Sequence, residues 1–212
     1  MNRREFVVAS SCGLVTLVFS GAAQDQKQYI CPPCGCSKDE EVFKEPGACP
    51  SCKMALIEKT SELRGIINFT KVTDQVWMGG QPLAEHLLTL KDAGVKIIIN
   101  LRPHGEHNGA VEANKVKELG LSYFNIPVSG REPDELDVDE FLKITDEQLK
   151  NGRVFIHDSG GARAALFWLI RRVLRDGWEL DKALEEASKM GLRSQSPLVT
   201  FAKEYIEKKK KK

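Results

Sequence analysis

The stretch VFIHDSGGARAALFWLI, residues 154–170, carries the clearest chemistry in the sequence. An apolar strand leads into a Gly-Gly loop, and Arg163 follows at the start of a helix. Glycines let backbone N–H groups turn inward as a concave nest, and the positive end of the helix adds to its attraction for an anion. Arg163 can hold two anion oxygens through its guanidinium fork. A plain strand-to-helix connection is the alternative. The pattern favours an anion-binding loop, whose members are Ser159, Gly160, Gly161, Ala162 and Arg163.

The cysteines form a second reactive group. All six lie between positions 12 and 52, so residues 53–212 contain none. Cys31 and Cys34 form one Cys-x2-Cys pair, and Cys49 and Cys52 form another. Each pair suits a tight turn that presents two thiolates, so the two pairs predict a tetrahedral site for Zn²⁺ or another soft metal ion. Disulfides are the alternative in an oxidising compartment, although five cysteines after the first 23 residues would leave one unpaired.

The elements that must position the anion-binding loop alternate between strand and helix over residues 66–212. Apolar runs predict strands in QVWMGG, KIIINL, LSYFNIPV and RVFIH, and helical spacing predicts the segments between and after them. Asp137 is the expected N-cap of one of these helices. The alternation predicts an α/β fold with a mostly parallel sheet covered by helices on both faces. Ligands bind beyond the carboxyl ends of such strands, where the loop after His157 lies.

The loop HDSGGAR, residues 157–163, resembles the H-C-x-x-G-x-R loop of bacterial dual-specificity phosphatases in the cysteine-dependent superfamily. The similarity extends over about 68–191 through VTDQVWMGGQP, AGVKIIINLRP and LSYFNIPV. The resemblance implies a phosphatase-like fold, with His157, Asp158 and Arg163 at catalytic positions. The family attacks phosphorus with a low-pKa thiolate, and the residue aligned with that thiolate here is Asp158.

Three interpretations of Asp158 are open. Its carboxylate could occupy the nest itself, accepting the N–H groups that a phosphate would take. It could act as a nucleophile that forms an acyl phosphate, although such enzymes usually screen the repulsion with Mg²⁺. It could bind a metal or a cationic ligand together with His157. The first interpretation is favoured, because the sequence has no evident acidic cluster to hold Mg²⁺.

Two further groups each carry two interpretations. Acidic residues stand where the resembled family has its general acid, but helix capping and the helix dipole explain them as well and are favoured. They are Asp134, Glu135, Asp137 and Asp139. Basic residues follow the strand KIIINL, where they could contact substrate or form an exposed loop. They are Arg102, His104 and His107.

The segment YICPPCGCSKDEEVFKEPGACPSCKMAL, residues 29–56, resembles the small heavy-metal-binding domain of metal-efflux proteins. Its second half, from Pro46 to Leu56, matches the pattern P-G-x-C-P-x-C-x-M-x-L. In the first half Cys34 stands where that family has His, and Cys36 is extra. The choice between Cys34 and Cys36 as ligand is therefore open. A module of about thirty residues buries too little surface to fold without a metal or disulfides.

Residues 1–23, MNRREFVVASSCGLVTLVFSGAA, have the layout of an export signal, with a charged start, an apolar stretch and small residues before Gln24. RREFVV resembles a twin-arginine signal, with a Sec signal or an uncleaved anchor as alternatives. The apolar run is too short for a stable membrane span. A net charge of +1 gives no general affinity for nucleic acid, and the lysines that end the chain fit a solvated helix end.

Together these features predict an exported, periplasmic or extracytoplasmic protein. Its expected parts are a signal at 1–23, a metal-binding module at 29–58 and a phosphatase-like domain at 66–212. The favoured function is a pseudophosphatase that binds a phosphorylated or other anionic ligand, coupled to the metal module. An active phosphomonoesterase that uses Asp158 or a bound metal is one alternative. A periplasmic metal-handling protein is the other.

Overall fold

The computed structural model describes residues 27–39, 41–106 and 109–211, so the expected export signal lies outside the described residues. Strands are β1 (Tyr29–Ile30), β2 (Val42–Phe43), β3 (Ile57–Glu58), β4 (Thr70–Lys71), β5 (Val76–Gly79), β6 (Val95–Asn100), β7 (Ser122–Asn125) and β8 (Arg153–His157). Helices are α1 (Ala84–Asp92), α2 (Gly109–Glu118), α3 (Glu135–Gln148), α4 (Ala162–Leu174), α5 (Leu180–Lys189) and α6 (Pro197–Lys210), with a short 3-10 turn at Leu63–Gly65.

The larger sheet has the strand order β4-β5-β8-β6-β7, and only the pairing of β4 with β5 is antiparallel. The apolar strand β8 therefore lies at the centre, as its composition predicts. In this register His157 is opposite both Gly79 of β5 and Asn100 of β6. Because the three strands end level, the residues that follow them meet at one edge of the sheet. The prediction of a mostly parallel sheet flanked by helices is confirmed.

Successive side chains of the central strands pack into two separate hydrophobic cores, one on each face of the sheet. On β8, Val154 and Ile156 pack on the face covered by α3, α4, α5 and α6. Phe155 packs on the opposite face, against α1 and α2. Helix α4 is buried along most of its length, and Trp168 on it is 2% exposed. The loop before α4 is thus held between a central strand and a buried helix.

Helix α3 begins differently from the sequence expectation. Its N-cap is Asp134, whose carboxylate accepts a hydrogen bond from the Leu136 N–H at 2.8 Å, and Asp137 is not the cap. Asp137 instead stands three residues later and accepts from the Asp134 N–H at 3.3 Å, so the two carboxylates form a reciprocal capping box. Aspartate is a favoured N-cap residue, so composition alone could not distinguish Asp134 from Asp137.

The cysteine-rich segment forms a small antiparallel sheet with the order β2-β1-β3. Its strands have two residues each, and among its described residues only Ile30, Cys31, Pro32 and Cys49 are buried. Such a core is too small to stabilise the segment alone. Among the described residues, no helix has the length and apolar character needed to cross a membrane.

Candidate anion loop and metal centre

The loop between β8 and α4 lies against the turn that follows β5. A Cβ added to Gly80 would lie 2.9 Å from the Ser159 carbonyl oxygen, so only glycine allows this approach. Gly161 has a φ of +95°, in the left-handed region that glycine populates most readily. The Asn68 side chain donates a hydrogen bond to the Gly160 carbonyl oxygen at 2.8 Å. The backbone path of the loop is therefore fixed from both sides.

The Asp158 carboxylate fills the concave side of the loop. Its Oδ1 accepts from the N–H groups of Gly160 at 2.8 Å and Gly161 at 2.9 Å. Its Oδ2 accepts from the Ala164 N–H at 2.9 Å, inside the first turn of α4. The side chain is 2% exposed. Asp158 therefore satisfies three backbone donors, as the first of the three interpretations expected.

Arg163 directs its terminal nitrogens to a carboxylate other than that of Asp158. Its Nη1 and Nη2 donate to Oε1 and Oε2 of Glu106 at 3.0 and 2.7 Å, which is a bidentate pair. It also donates to the Val128 carbonyl oxygen and to the Ser159 hydroxyl, both at 3.0 Å. Its closest approach to Asp158 is 3.8 Å. The guanidinium fork expected for an anion is thus occupied by Glu106.

Two arginines determine the ionisation of Glu106. Burial by itself would raise the pKa of this carboxyl, but hydrogen bonds and charge from Arg163, and then from Arg102, outweigh burial and lower the pKa. Glu106 is therefore a carboxylate near neutral pH. Together with Asp158, it places two negative charges where the sequence predicted room for an anion.

A cleft opens from the loop to solvent, with a volume of about 890 Å³. Asp158, Ser159 and Arg163 form its floor, and exposed Arg131 and Arg193 stand at its walls. These two arginines come from the loops after β7 and α5. The cleft can therefore receive an anionic group at its mouth, while the oxygen-binding positions on its floor are already taken.

His157 lies behind the loop in a buried polar network. Its Nε2 is 3.1 Å from Oε1 of Glu112, a close contact whose alignment falls outside hydrogen-bond geometry. The same carboxylate accepts from Gln81 Nε2 at 2.8 Å, Asn100 Nδ2 at 2.7 Å and the Tyr123 hydroxyl at 3.0 Å. Burial, and then the charge of Glu112, raises the pKa of Tyr123. His157 faces this network and does not join Asp158 in a ligand set.

Arg102 links the network to the cysteine-rich segment. Its Nη1 donates to Gln81 Oε1 at 2.9 Å and to the Pro33 carbonyl oxygen at 2.7 Å, and the side chain is 1% exposed. Pro33 lies between Cys31 and Cys34 in the first Cys-x2-Cys pair. Arg102 is thus neither in an exposed loop nor open to the cleft. His104 is exposed, and His107 lies outside the described residues.

Five thiols gather in the cysteine-rich segment. Cys31 Sγ lies 3.7 Å from Cys34, 3.8 Å from Cys36 and 3.4 Å from Cys52, and Cys36 lies 3.9 Å from Cys49. All five described cysteines are free thiols. In a tetrahedral zinc site the sulfurs are about 3.8 Å apart, given a Zn–S bond of about 2.3 Å, so these donors fit such an ion.

The structure gathers Cys36 and the four predicted ligands in one segment, but it does not place all four predicted ligands in one set of mutually close donors. A set of ligand atoms lying mutually within 4.8 Å contains Cys31, Cys36, Cys49 and Cys52, while Cys34 belongs to an overlapping set with Asp39. Backbone hydrogen bonding from Met54 lowers the pKa of Cys52 to about 7, and burial raises that of Cys34 to about 12. Zinc, if bound, would hold the two ends of the segment together through these thiolates.

The acidic residues before and within α3 have structural partners. Asp134 and Asp137 form the capping box, and Glu135 pairs with Lys208 at 2.7 Å. Asp139 accepts from the Tyr205 hydroxyl at 2.6 Å and pairs with Lys209 at 2.7 Å. The described positions therefore favour the capping interpretation over a general acid. The C-terminal lysines also differ from a solvated end, because two of them join α6 to α3.

Glu106 and Glu112 were not identified from the sequence. A signal existed for Glu112, which occupies the apolar stripe of α2 four residues before buried Val116, where a charge requires a partner. Glu106 carried no such signal, because it lies in an irregular loop. Only the folded loop after β6 brings it to Arg163.

The comparisons with known proteins bear on the fold and the family of the chain. A "Beta-lactamase hydrolase-like protein" from Agrobacterium fabrum is 32% identical over 108 residues, which are 49% of this chain and 25% of that protein. The chain thus spans about a quarter of the length of the curated relatives it matches. Among solved structures, a DUF442 protein from Shewanella putrefaciens CN-32 has a TM-score of 0.59 at 23% identity, covering 69% of this chain and 93% of its own.

A TpbA variant from P. aeruginosa in complex with pTyr has a TM-score of 0.55 at 17% identity, covering 67% of this chain and 90% of its own. At these identities the two solved structures show the fold alone. The family model described as "Heavy metal binding domain" matches residues 28–59. The model described as "DSP-PTPase phosphatase fused to NAD+ Kinase" matches residues 56–209, and this chain belongs to that family.

Proposed function

We propose that this protein is a pseudophosphatase in which Asp158 replaces the nucleophilic cysteine of the cysteine-dependent phosphatases. One observation carries the proposal, namely that the Asp158 carboxylate accepts three backbone N–H groups of the nest. A phosphate would need the same donors. A fixed negative charge about 4 Å from an incoming phosphate costs about 4 kcal/mol, or about a thousandfold in affinity, at an effective dielectric constant of about 20.

The proposed role of the domain is to bind an anionic group without turnover. Arg131 and Arg193 at the walls of the cleft supply the positive charge for a phosphorylated or other anionic ligand. Arg163 cannot supply it while Glu106 holds both of its terminal nitrogens. The bound group would therefore sit at the mouth of the cleft, above the floor where phosphatase chemistry takes place.

The metal module is proposed to act with this domain through Arg102. Because Arg102 donates to the Pro33 carbonyl oxygen, the turn between Cys31 and Cys34 is attached to the network behind the loop. Zn²⁺ is the proposed ion, and export by the signal at residues 1–23 would place the protein outside the cytoplasm. The two parts would span 29–58 and 66–212.

Catalysis distinguishes the pseudophosphatase from an active phosphomonoesterase. We expect the purified chain without its signal to leave an aryl phosphate unchanged, with or without Mg²⁺ or Zn²⁺. Asp158→Cys should restore turnover, because the rest of the loop is in place, and Asp158→Ser is the matched control that removes the carboxylate without supplying a thiolate. Turnover by the unaltered protein that Asp158→Ala abolishes would contradict the proposal.

The pairing of Glu106 with Arg163 adds a second substitution to the same experiment. In Asp158→Cys the fork of Arg163 remains paired with Glu106, so restored activity should be low. Adding Glu106→Gln frees the guanidinium for the phosphoryl oxygens and should raise kcat/KM about tenfold or more. Arg163→Lys in the same background should cancel that gain, because lysine lacks the fork.

Metal handling is the second candidate function, favoured by the gathering of five thiols in one small segment. Elemental analysis after anaerobic purification tests it. Bound metal at one or more equivalents supports the candidate, and a protein that binds none after incubation with Zn²⁺ would exclude it.

A further inference from the structure

The cysteine-rich segment offers more donors than one tetrahedral ion uses. One group of mutually close donors contains Cys31, Cys36, Cys49 and Cys52. A second group contains Cys31, Cys34, Cys36 and Asp39. Each group has four ligands, which is the number that zinc takes in structural sites. The two groups share Cys31 and Cys36.

The two shared sulfurs are as far apart as two thiolates that bridge a pair of metal ions. Cys31 and Cys36 sulfurs are 3.8 Å apart, which is the edge of a tetrahedron around an ion with bonds of about 2.3 Å to sulfur. Two tetrahedra that share one edge use six ligands in total, and the segment supplies six. We propose that the segment holds two metal ions, bridged by the thiolates of Cys31 and Cys36. Cys49 and Cys52 complete one ion, and Cys34 and Asp39 complete the other.

Asp39 is held in place for this role. Its Oδ2 accepts from the Gly35 N–H at 2.5 Å, and its Oδ1 lies 3.3 Å from Cys34 Sγ. A ligand whose carboxylate is fixed by the backbone loses less freedom on binding a metal. An oxygen donor also suits Zn²⁺ better than Cu(I), which prefers soft ligands alone. The second position is therefore assigned to a divalent ion of the zinc type.

Charge favours the second ion once the first is bound. With one divalent ion bound, its four thiolate ligands and the Asp39 carboxylate leave an excess of three negative charges, because the thiol of Cys34 outside that ion's coordination keeps its proton. A second ion reduces the excess to two, which is the value of an ordinary four-thiolate zinc site. Cys31 and Cys49 are fully buried, where uncompensated charge is expensive. Each thiol that becomes a ligand releases its proton to solvent.

One contact must change when both ions bind. Cys34 Sγ lies 3.6 Å from Cys52 Sγ, although the two belong to different tetrahedra. The terminal ligands of two edge-sharing tetrahedra point away from each other, so these sulfurs must separate. Cys34 can move with its loop, because it is only half-buried and precedes exposed Gly35.

Metal stoichiometry tests the proposal, which deepens the proposed metal-binding role and rests on it. The full chain without its signal is purified anaerobically, saturated with Zn²⁺, desalted and analysed for zinc per chain. We expect two equivalents. Asp39→Ala and Cys34→Ser should each hold one, Asp39→Cys should keep two, and Ser37→Ala is the control that should keep two.

Cobalt substitution tests the bridge itself. Two high-spin Co²⁺ ions joined by thiolates couple magnetically, so the EPR signal should grow with the first equivalent and fall with the second. One zinc equivalent in the unaltered chain, or two in Asp39→Ala, would overturn the second ion and leave the metal-binding role intact. Zero equivalents would remove both. Two equivalents whose cobalt signals add without loss would overturn the bridge.

Discussion

The cysteine-rich segment and the anion loop both hold reactive groups close together, but they differ in whether those groups are paired within the fold. In the cysteine-rich segment each of the five thiols lies within 4 Å of at least one other, and the surrounding sheet has strands of two residues. In the loop at 157–163 the backbone donors are satisfied by Asp158, and the arginine is satisfied by Glu106. The first site offers unpaired donors to an external ion, whereas the second supplies its own anions.

The difference follows from the surroundings of each site. The loop is built between a central strand and a buried helix, so its polar groups must be paired within the fold. The segment has almost no core, and its stability must come from ligands. An anion site inside a stable fold can therefore be closed by the carboxylates of the fold itself, while a small fold with almost no core depends on a ligand for its stability.

Metal removal should have the largest effect and should unfold one region only. We expect a strong chelator to unfold residues 27–59, with a loss on the order of 10 kcal/mol in that segment. Hydrogen exchange should show the amides of β1 and β3 losing protection. The fluorescence of Trp77, Trp168 and Trp178, all in the larger domain, should keep its urea midpoint. Protection of β1 that survives chelation would contradict this division.

Asp158→Ala should be the most damaging single change in the loop. It leaves three backbone donors without their acceptor, one of them in the first turn of α4, which should lower the free energy of unfolding by about 3 kcal/mol. Asp158→Asn keeps one acceptor oxygen and should lose about half as much. Urea unfolding followed by tryptophan fluorescence in buffer free of phosphate and sulfate measures both. Equal stability of the alanine variant and the parent would show that the carboxylate does not hold the loop.

Replacing Glu106 should have a smaller effect on stability, and that effect should depend on pH. Its pKa is lowered in the folded protein from the usual 4.5, so its contribution to stability is complete above pH 4.5. That contribution is lost as the pH falls below 4.5 and through the folded pKa. Glu106→Gln should therefore flatten the stability profile between about pH 5 and pH 3. A profile equally steep in both proteins would assign the acid sensitivity to other carboxyls.

The smallest effect is expected where α6 meets α3. Lys208 and Glu135 are both about half exposed, so Lys208→Ala should cost only about 0.5 kcal/mol. Lys210→Ala, an exposed lysine of the same helix, is the control and should be neutral. Because the pair is solvent-exposed, the difference between the variants should disappear in 1 M salt. A loss above about 2 kcal/mol would mean that the pair has a packing role.

The fold could be predicted from the sequence because the signals for its strands and turns are local. The apolar run RVFIH and the Gly-Gly turn after it depend on neighbouring residues, and the structure places that run in the centre of the sheet. The cap of α3 was assigned wrongly, because Asp134 and Asp137 are chemically equivalent at a helix start and only the chain path separates them. The sequence also left open whether Cys36 joins the other thiols, because cysteine spacing alone does not show where its side chain points.

The amino-acid sequence by itself determined which region can bind an anion and which can bind a metal, because glycines, arginine and paired cysteines at short spacing act through adjacent backbone. It also placed a carboxylate at position 158, in a domain without a thiol. Only the tertiary structure decided that Glu106 occupies Arg163, that Arg102 reaches Pro33, and that Asp39 joins the thiols. Most of these contacts join residues far apart in the chain, or loops without a repeating pattern, so their geometry depends on packing.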